Sequence, residues 1–268
     1  PPPAPTRASG PARRQSRSPP PARAGARDRS SFGNRVPPNP PPAAVPRFRT
    51  VILDVDSTLS GIEGIDWLAE RCGPDVARQV ADATDRAMRG EIPLDAVYGE
   101  RLALVRPGRD ALHALAQAYW DAIPDATLEA VFALRDAGVR LALVSGGIRQ
   151  AILPVARELG FAMGDVHAVD VVLDGAGGYW SYDAGSPLAT QGGKRLVAAQ
   201  LLATAAADGA EVRPALAVGD GSTDVAMRAP DACDALAAYV GFVRRAPVVA
   251  AADHVLASFA DLQELVLG

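Results

Sequence analysis

Four short motifs along the chain carry oxygen and nitrogen groups of the kind that handle a phosphoryl group. The first, Asp54-Val55-Asp56-Ser57-Thr58, closes the apolar run from Phe48 to Val55. If that run is a strand, its period of two puts Asp54 and Asp56 on one side and Val55 on the other. The second, Ser145-Gly146-Gly147, ends the apolar segment Arg140–Ser145 ahead of a helical pattern, where free backbone amides suit an anion. The third is Lys194, the only lysine in the chain, which follows Gly192-Gly193 and opens a helix. The fourth, Gly219-Asp220-Gly221-Ser222-Thr223-Asp224, adds two carboxylates after the segment Pro214–Gly219. Singly, each has a plainer explanation, since acids end strands, glycines make turns and lysines sit on surfaces. Together they are a set with a charge problem. Two carboxylates about 4 Å apart repel by about 4 kcal/mol at an effective dielectric of 20, so several in one pocket call for a cation. Oxygen-only ligands favour Mg²⁺ over softer metals. His113, His167 and His254 are scattered and Cys72 lies far from Cys233, which argues against zinc.

The elements that must position these groups alternate between strand and helix. The three apolar segments Phe48–Val55, Arg140–Ser145 and Pro214–Gly219 have strand length, and Val169 to Tyr182 reads as a hairpin around Gly175, Gly177 and Gly178. Helical periodicity marks about 125–137, 148–159, 194–206 and 223–229. Buried strands feeding helices predict an α/β fold with a doubly wound, mainly parallel sheet, whose ligands lie beyond the carboxyl ends of the strands. The stretch 62–122 has helical signals and no clear strand, and so reads as a helical cap inserted after the first strand. The core would then comprise 48–61 and 123–268. If 94–105 is a helix, Leu94, Val97, Tyr98, Arg101 and Val105 form one stripe. A guanidinium in that apolar row needs an anion, either a structural Asp or Glu or a carboxylate ligand.

The chain has 268 residues, a net charge of −4 and 49% hydrophobic residues, of which few are aromatic. Residues 1–47 contrast with the rest: they hold 14 of the 23 prolines and nine arginines against one acid, Asp28. That leaves the tail at +8 and the body at −12. The tail predicts an unstructured extension, and the acidic body opposes nucleic-acid binding. No run of 18 apolar residues is present, so no membrane span is expected. Two isolated cysteines suit a reducing, cytoplasmic setting, with an organelle-transit role for the tail left open.

In this order, the four motifs resemble the haloacid dehalogenase (HAD) superfamily and, within it, the phosphoserine phosphatases, across residues 48–268. The resemblance implies hydrolysis of O-phospho-L-serine to L-serine and phosphate, the last step of serine biosynthesis, through an aspartyl phosphate on Asp54. It implies Asp56 as general acid and base, with Ser145, the amide of Gly146, Gly147 and Lys194 holding the phosphoryl oxygens. Mg²⁺ would be held by Asp54, the carbonyl of Asp56 and Asp220, with Asp224 beside them. Glu63, in Glu63-Gly64-Ile65-Asp66, would take the serine ammonium and Arg101 its carboxylate, with Met88 and Thr223 also at the substrate. Two features depart from the family pattern: Leu94 stands where an aromatic residue is common, and Gly241-Phe242-Val243-Arg244-Arg245 is poor in glycine. The rival expectations are a HAD phosphatase or phosphotransferase acting on another small phosphorylated metabolite and, more remotely, a non-catalytic protein recruited through its tail. A homodimer is left open.

Overall fold

The computed structural model describes residues 45–88, 92 and 94–268, so most of the Pro/Arg-rich tail lies outside the described residues. The fold is built outward from β1 (Thr50–Leu53), in which Val51, Ile52 and Leu53 are fully buried. A strand covered on both faces needs such a continuous apolar run. Parallel strands β2 (Arg140–Ile148) and β6 (Ala215–Gly219) flank it, with Leu53 beside Leu143 on one side and Val218 on the other. Next to β2 lies β3 (Val166–Val169), and beyond β6 lie β7 (Ala235–Tyr239) and β8 (His254–Leu256). The order is β3-β2-β1-β6-β7-β8, all parallel. The chain therefore builds the sheet in one direction from β1 and then crosses back to β6 to build it in the other. The junction of β1 and β6 is the switch point at which sheets of this type open a crevice.

Helices flank the sheet: α5 (Ala126–Asp136), α6 (Arg149–Glu158), α7 (Gly193–Ala207), α8 (Ser222–Val225), α9 (Ala246–Ala251) and α10 (Phe259–Leu267). Between β1 and α5 come α1 (Gly64–Cys72), α2 (Pro74–Met88), α3 (Leu94–Val105) and α4 (Arg109–Asp121). No strand occurs among the described residues of 62–122. These four helices pack on one another and on the core, α1 against β2 and α4 against α6. The expected hairpin is present as antiparallel β4 (Val171–Leu173) and β5 (Tyr179–Tyr182). It holds the helical insertion from the side. The Arg109 amide donates to the Gly177 carbonyl at 2.8 Å, and the Tyr182 ring lies 5.4 Å from that of Tyr98 on α3.

Several elements differ from the sequence reading. β3, β7 and β8 are strands that the sequence reading does not predict, the predicted hairpin beginning only at Val169. β7 is alanine-rich and β8 has three residues, so neither displays a strand period. The segment expected as helix over about 223–229 is helical only over Ser222–Val225, and Arg228 beyond it pairs in a bridge with Cys233. β2 does not end at Ser145. Its pairing with β3 breaks after Val144 and resumes at Ile148, so Ser145-Gly146-Gly147 forms an irregularity within the strand.

Candidate active site

The strand ends bring the expected carboxylates together. The Asp54 amide extends the pairing of β1 with β6 by donating to the Val218 carbonyl at 3.0 Å, which puts Asp54 alongside the end of β6, just before Asp220. Asp54, Asp220 and Asp224 are all buried, and each offers an oxygen within 4.8 Å of the others'. The Lys194 ammonium, also buried, lies 2.7 Å from Asp54 Oδ2 and 2.7 Å from Asp224 Oδ1. Two glycines make this convergence possible. At Gly219 a Cβ would overlap the Asp224 carboxylate, and at Gly193 it would overlap the Pro187 carbonyl against which the start of α7 rests. Substitution at either position would displace Asp224 or Lys194.

The turn after β1 is built around Ser57, a non-glycine residue with a φ of 51°. Such backbone costs about 1–3 kcal/mol and concentrates at functional turns. It lets the Ser57 hydroxyl donate to Glu63 Oε1 at 2.8 Å, while Thr58 Oγ1 donates to Asp220 Oδ1 at 3.4 Å. Asp56 is gripped from one side only. Its Oδ1 accepts from the Tyr119 hydroxyl at 2.6 Å and from the Gly64 amide at 2.8 Å, and its Oδ2 faces Gly147.

Electrostatics follow from this crowding. Burial, then the charges of Glu63 and Asp54, push the Asp56 carboxyl up to about 8 against the hydrogen bonds from Tyr119 and Gly64. Burial and Asp54 push Asp220 up to about 7, opposed by Arg245. Burial raises Asp224 to about 6 despite its bond to Lys194. Burial alone would lower the Lys194 ammonium, but Asp224 and Asp54 outweigh it and hold it above its ordinary range. Within the carboxylate cluster, Asp54 Oδ1 is buried without a hydrogen-bond partner. An orphaned carboxylate oxygen inside an all-oxygen cluster, beside Asp220 and Asp224 with raised pKa values, fits a hard divalent cation.

Beside the cluster opens a cavity of about 570 Å³ lined by Asp54, Asp56, Glu63, Arg101, Gly146, Lys194, Asp220 and Thr223, among others. Ser145 is buried at its edge, and its hydroxyl accepts from the Gly147 amide at 3.0 Å. The structure thus gathers every expected site residue except Met88, whose side chain lies outside the described residues, as does that of Leu94. Arg101 has an anionic partner from the chain, Asp66 Oδ1 at 2.7 Å. Three neighbours were not singled out as site residues from the sequence. Tyr119 holds Asp56, Asp66 holds Arg101, and Arg245 reaches Asp220 Oδ2 at 2.9 Å and Glu63 Oε1 at 3.5 Å. Arg245 lies in the glycine-poor segment that departs from the family pattern; Tyr119 carried no such signal, being one of several aromatics on a helix.

Comparison with known proteins follows the same lines. A family model for haloacid dehalogenase-like hydrolases matches residues 48–229. The chain is 32% identical over 212 residues to the chloroplastic phosphoserine phosphatase of Arabidopsis thaliana, covering 79% of this chain and 70% of that one. It is 34% identical over 192 residues to the phosphoserine phosphatase of Rattus norvegicus, covering 72% and 80%. Among solved structures, a phosphoserine phosphohydrolase-like protein from Francisella tularensis shares the fold, with a TM-score of 0.67 and 24% identity over 81% of this chain and 99% of that one.

Proposed function

The chain belongs to the haloacid dehalogenase-like hydrolases, and we propose that it is a phosphatase converting O-phospho-L-serine to L-serine and phosphate, the last step of serine biosynthesis. One observation carries this reading: the buried cluster of Asp54, Asp220, Asp224 and Lys194 opens into a cavity that also holds Glu63 and Arg101. The first group suits a phosphoryl ester and the second an amino-acid headgroup. The likeness to phosphoserine phosphatases over most of both chains supports the same substrate.

Asp54, Asp220 and Asp224, with the carbonyl of Asp56, would hold Mg²⁺. Bound there, the ion neutralises the gathered carboxylates and the charge on the phosphoryl oxygens. Lys194 adds a fixed positive charge on the same oxygens, and Ser145 and the Gly146 amide supply hydrogen-bond donors. Asp54 attacks phosphorus in line; its carboxylate forms a bond to phosphorus as the bond to the serine oxygen breaks. Asp56 gives that oxygen its proton. Because Oδ1 already accepts two hydrogen bonds, the proton is held on Oδ2. In the second half, Asp56 takes a proton from water as the water attacks phosphorus, releasing phosphate and restoring the Asp54 carboxylate. Glu63 receives the substrate ammonium and Arg101 its carboxylate, with Met88 and Thr223 completing the pocket, and helices α1–α4 form a cap that excludes water.

The deciding experiment is phosphate release from O-phospho-L-serine, O-phosphothreonine and phosphocholine by the purified protein, with Mg²⁺ and with a chelator. Mg²⁺-dependent turnover with kcat/KM highest for phosphoserine is expected. A preference for phosphocholine, or inertness toward all three, would overturn the assignment.

A further inference from the structure

Among the described residues, six buried side-chain polar atoms have no hydrogen-bond partner, and three of them belong to residues lining the cavity. One, Asp54 Oδ1, is an acceptor and is accounted for by the cation. The other two are donors, the Tyr98 hydroxyl and Arg101 Nε. They lie one turn apart on α3 (Leu94–Val105), so both project from one face of the helix. We propose that the Tyr98 hydroxyl is a specificity-determining donor that binds the substrate carboxylate together with Arg101.

The hydroxyl calls for an explanation. Only 9% of Tyr98 is exposed, and burying an unpaired hydroxyl costs about 1–3 kcal/mol. Phenylalanine would fill the same volume against Tyr182, whose ring packs 5.4 Å away, without that cost. That packing also restrains the ring and with it the hydroxyl. Burial and the nearby Asp56 charge keep the phenol ionisation above its ordinary range, so the group remains a donor. Asp66 occupies Arg101 Nη2 at 2.7 Å, which orients the guanidinium and leaves Nε unengaged. Two unpartnered donors from one face of the same helix fit an anionic acceptor with two oxygens.

Which anion follows from the proposed function, on which this inference rests. The phosphoryl group belongs at Asp54 and Lys194, and an ammonium is repelled by Arg101 and drawn to Glu63. The substrate carboxylate is the remaining acceptor.

The test compares wild type and Tyr98→Phe, as full-length Mg²⁺-loaded proteins, on O-phospho-L-serine and on O-phosphoethanolamine, which lacks only the carboxylate. Inhibition by L-serine and the melting temperature are measured alongside. The variant is expected to lose about tenfold in kcat/KM for phosphoserine through KM, with L-serine binding weakened about as much. Its phosphoethanolamine turnover should stay that of wild type, and its melting temperature without substrate should rise, because the unpaired hydroxyl is gone. An equal loss on both substrates would make Tyr98 a packing residue, and no loss on either would mean that water satisfies the hydroxyl; both overturn the inference while phosphoserine turnover by wild type leaves the proposed function standing. Failure of wild type itself on phosphoserine would overturn both.

Discussion

Asp56 and Asp54 stand two residues apart in very different surroundings, and that difference sets what each can do. Asp54 pairs with the Lys194 ammonium at 2.7 Å through one oxygen and leaves the other, Oδ1, without a partner. Asp56 has no cation at hydrogen-bond distance and is pushed up to about 8, which suits a group that must donate a proton and then take one back. Replacing Asp54 by Asn should reduce kcat by at least about 10³-fold while the circular-dichroism spectrum and melting curve stay native; near-normal turnover would remove Asp54 as nucleophile. The clustered acids also make a pH prediction. Asp56, Asp220 and Asp224 sit at about 8, 7 and 6, against an ordinary 3.8. The folded state thus holds these protons more tightly than the unfolded chain does. The stabilisation this gives is complete below about pH 4 and disappears as pH rises through 6 to 8. In chelator, the melting temperature should fall between pH 5 and pH 8. Because a cation binds the deprotonated form, the rise in melting temperature produced by Mg²⁺ should be larger at pH 8 than at pH 5. An Mg²⁺ effect of equal size at both would contradict the cluster as its site.

At the scale of elements, the site depends on strand ends and helix starts that leave no room for side chains. Gly219 closes β6 directly beneath the Asp224 carboxylate, itself fixed by Lys194 and by the Gly221 amide at 2.9 Å. Gly219→Ala should therefore destabilise the fold by about 2–4 kcal/mol in denaturant titrations and lower kcat, because a buried, bonded carboxylate cannot move aside cheaply. A neutral effect would mean the turn can relax. These elements were also the part most legible in the sequence. β1 and β6 are continuous apolar runs with their motifs directly at the end, and the apolar start of β2 leads into Ser145-Gly146-Gly147 inside the strand, so strand, motif and placement could be read together. What escaped reading has physical causes. β7 is largely alanine, which favours neither period, and β8 gains its conformation from pairing with β7. Tyr119 and Asp66 act across sequence separations of 63 and 35 residues. Such partnerships depend on how helices pack, which local pattern does not encode.

For the whole molecule, the described chain is anchored to the core from Arg47 onward. The Arg47 amide donates to the Val266 carbonyl at 2.7 Å, and Phe48 is buried with its ring edge-on to His254. Deleting residues 1–44 should leave kcat/KM for phosphoserine within about twofold of the full chain, whereas Phe48→Ala should cost about 3 kcal/mol of stability. A large loss of activity on deleting the tail would give it a role that its composition does not suggest. No helix among the described residues is long and apolar enough to cross a membrane.

Because Lys194 is the only lysine in the chain and is buried at the first turn of α7, an endoprotease that cuts only after lysine has a single target, the Lys194–Arg195 bond. In the folded protein the Lys194 side chain is buried, so appearance of the two fragments reports opening of the phosphoryl-binding end of the molecule, alone or together with the rest of the fold. Mg²⁺ with inorganic phosphate should slow that cut, while denaturant hastens it.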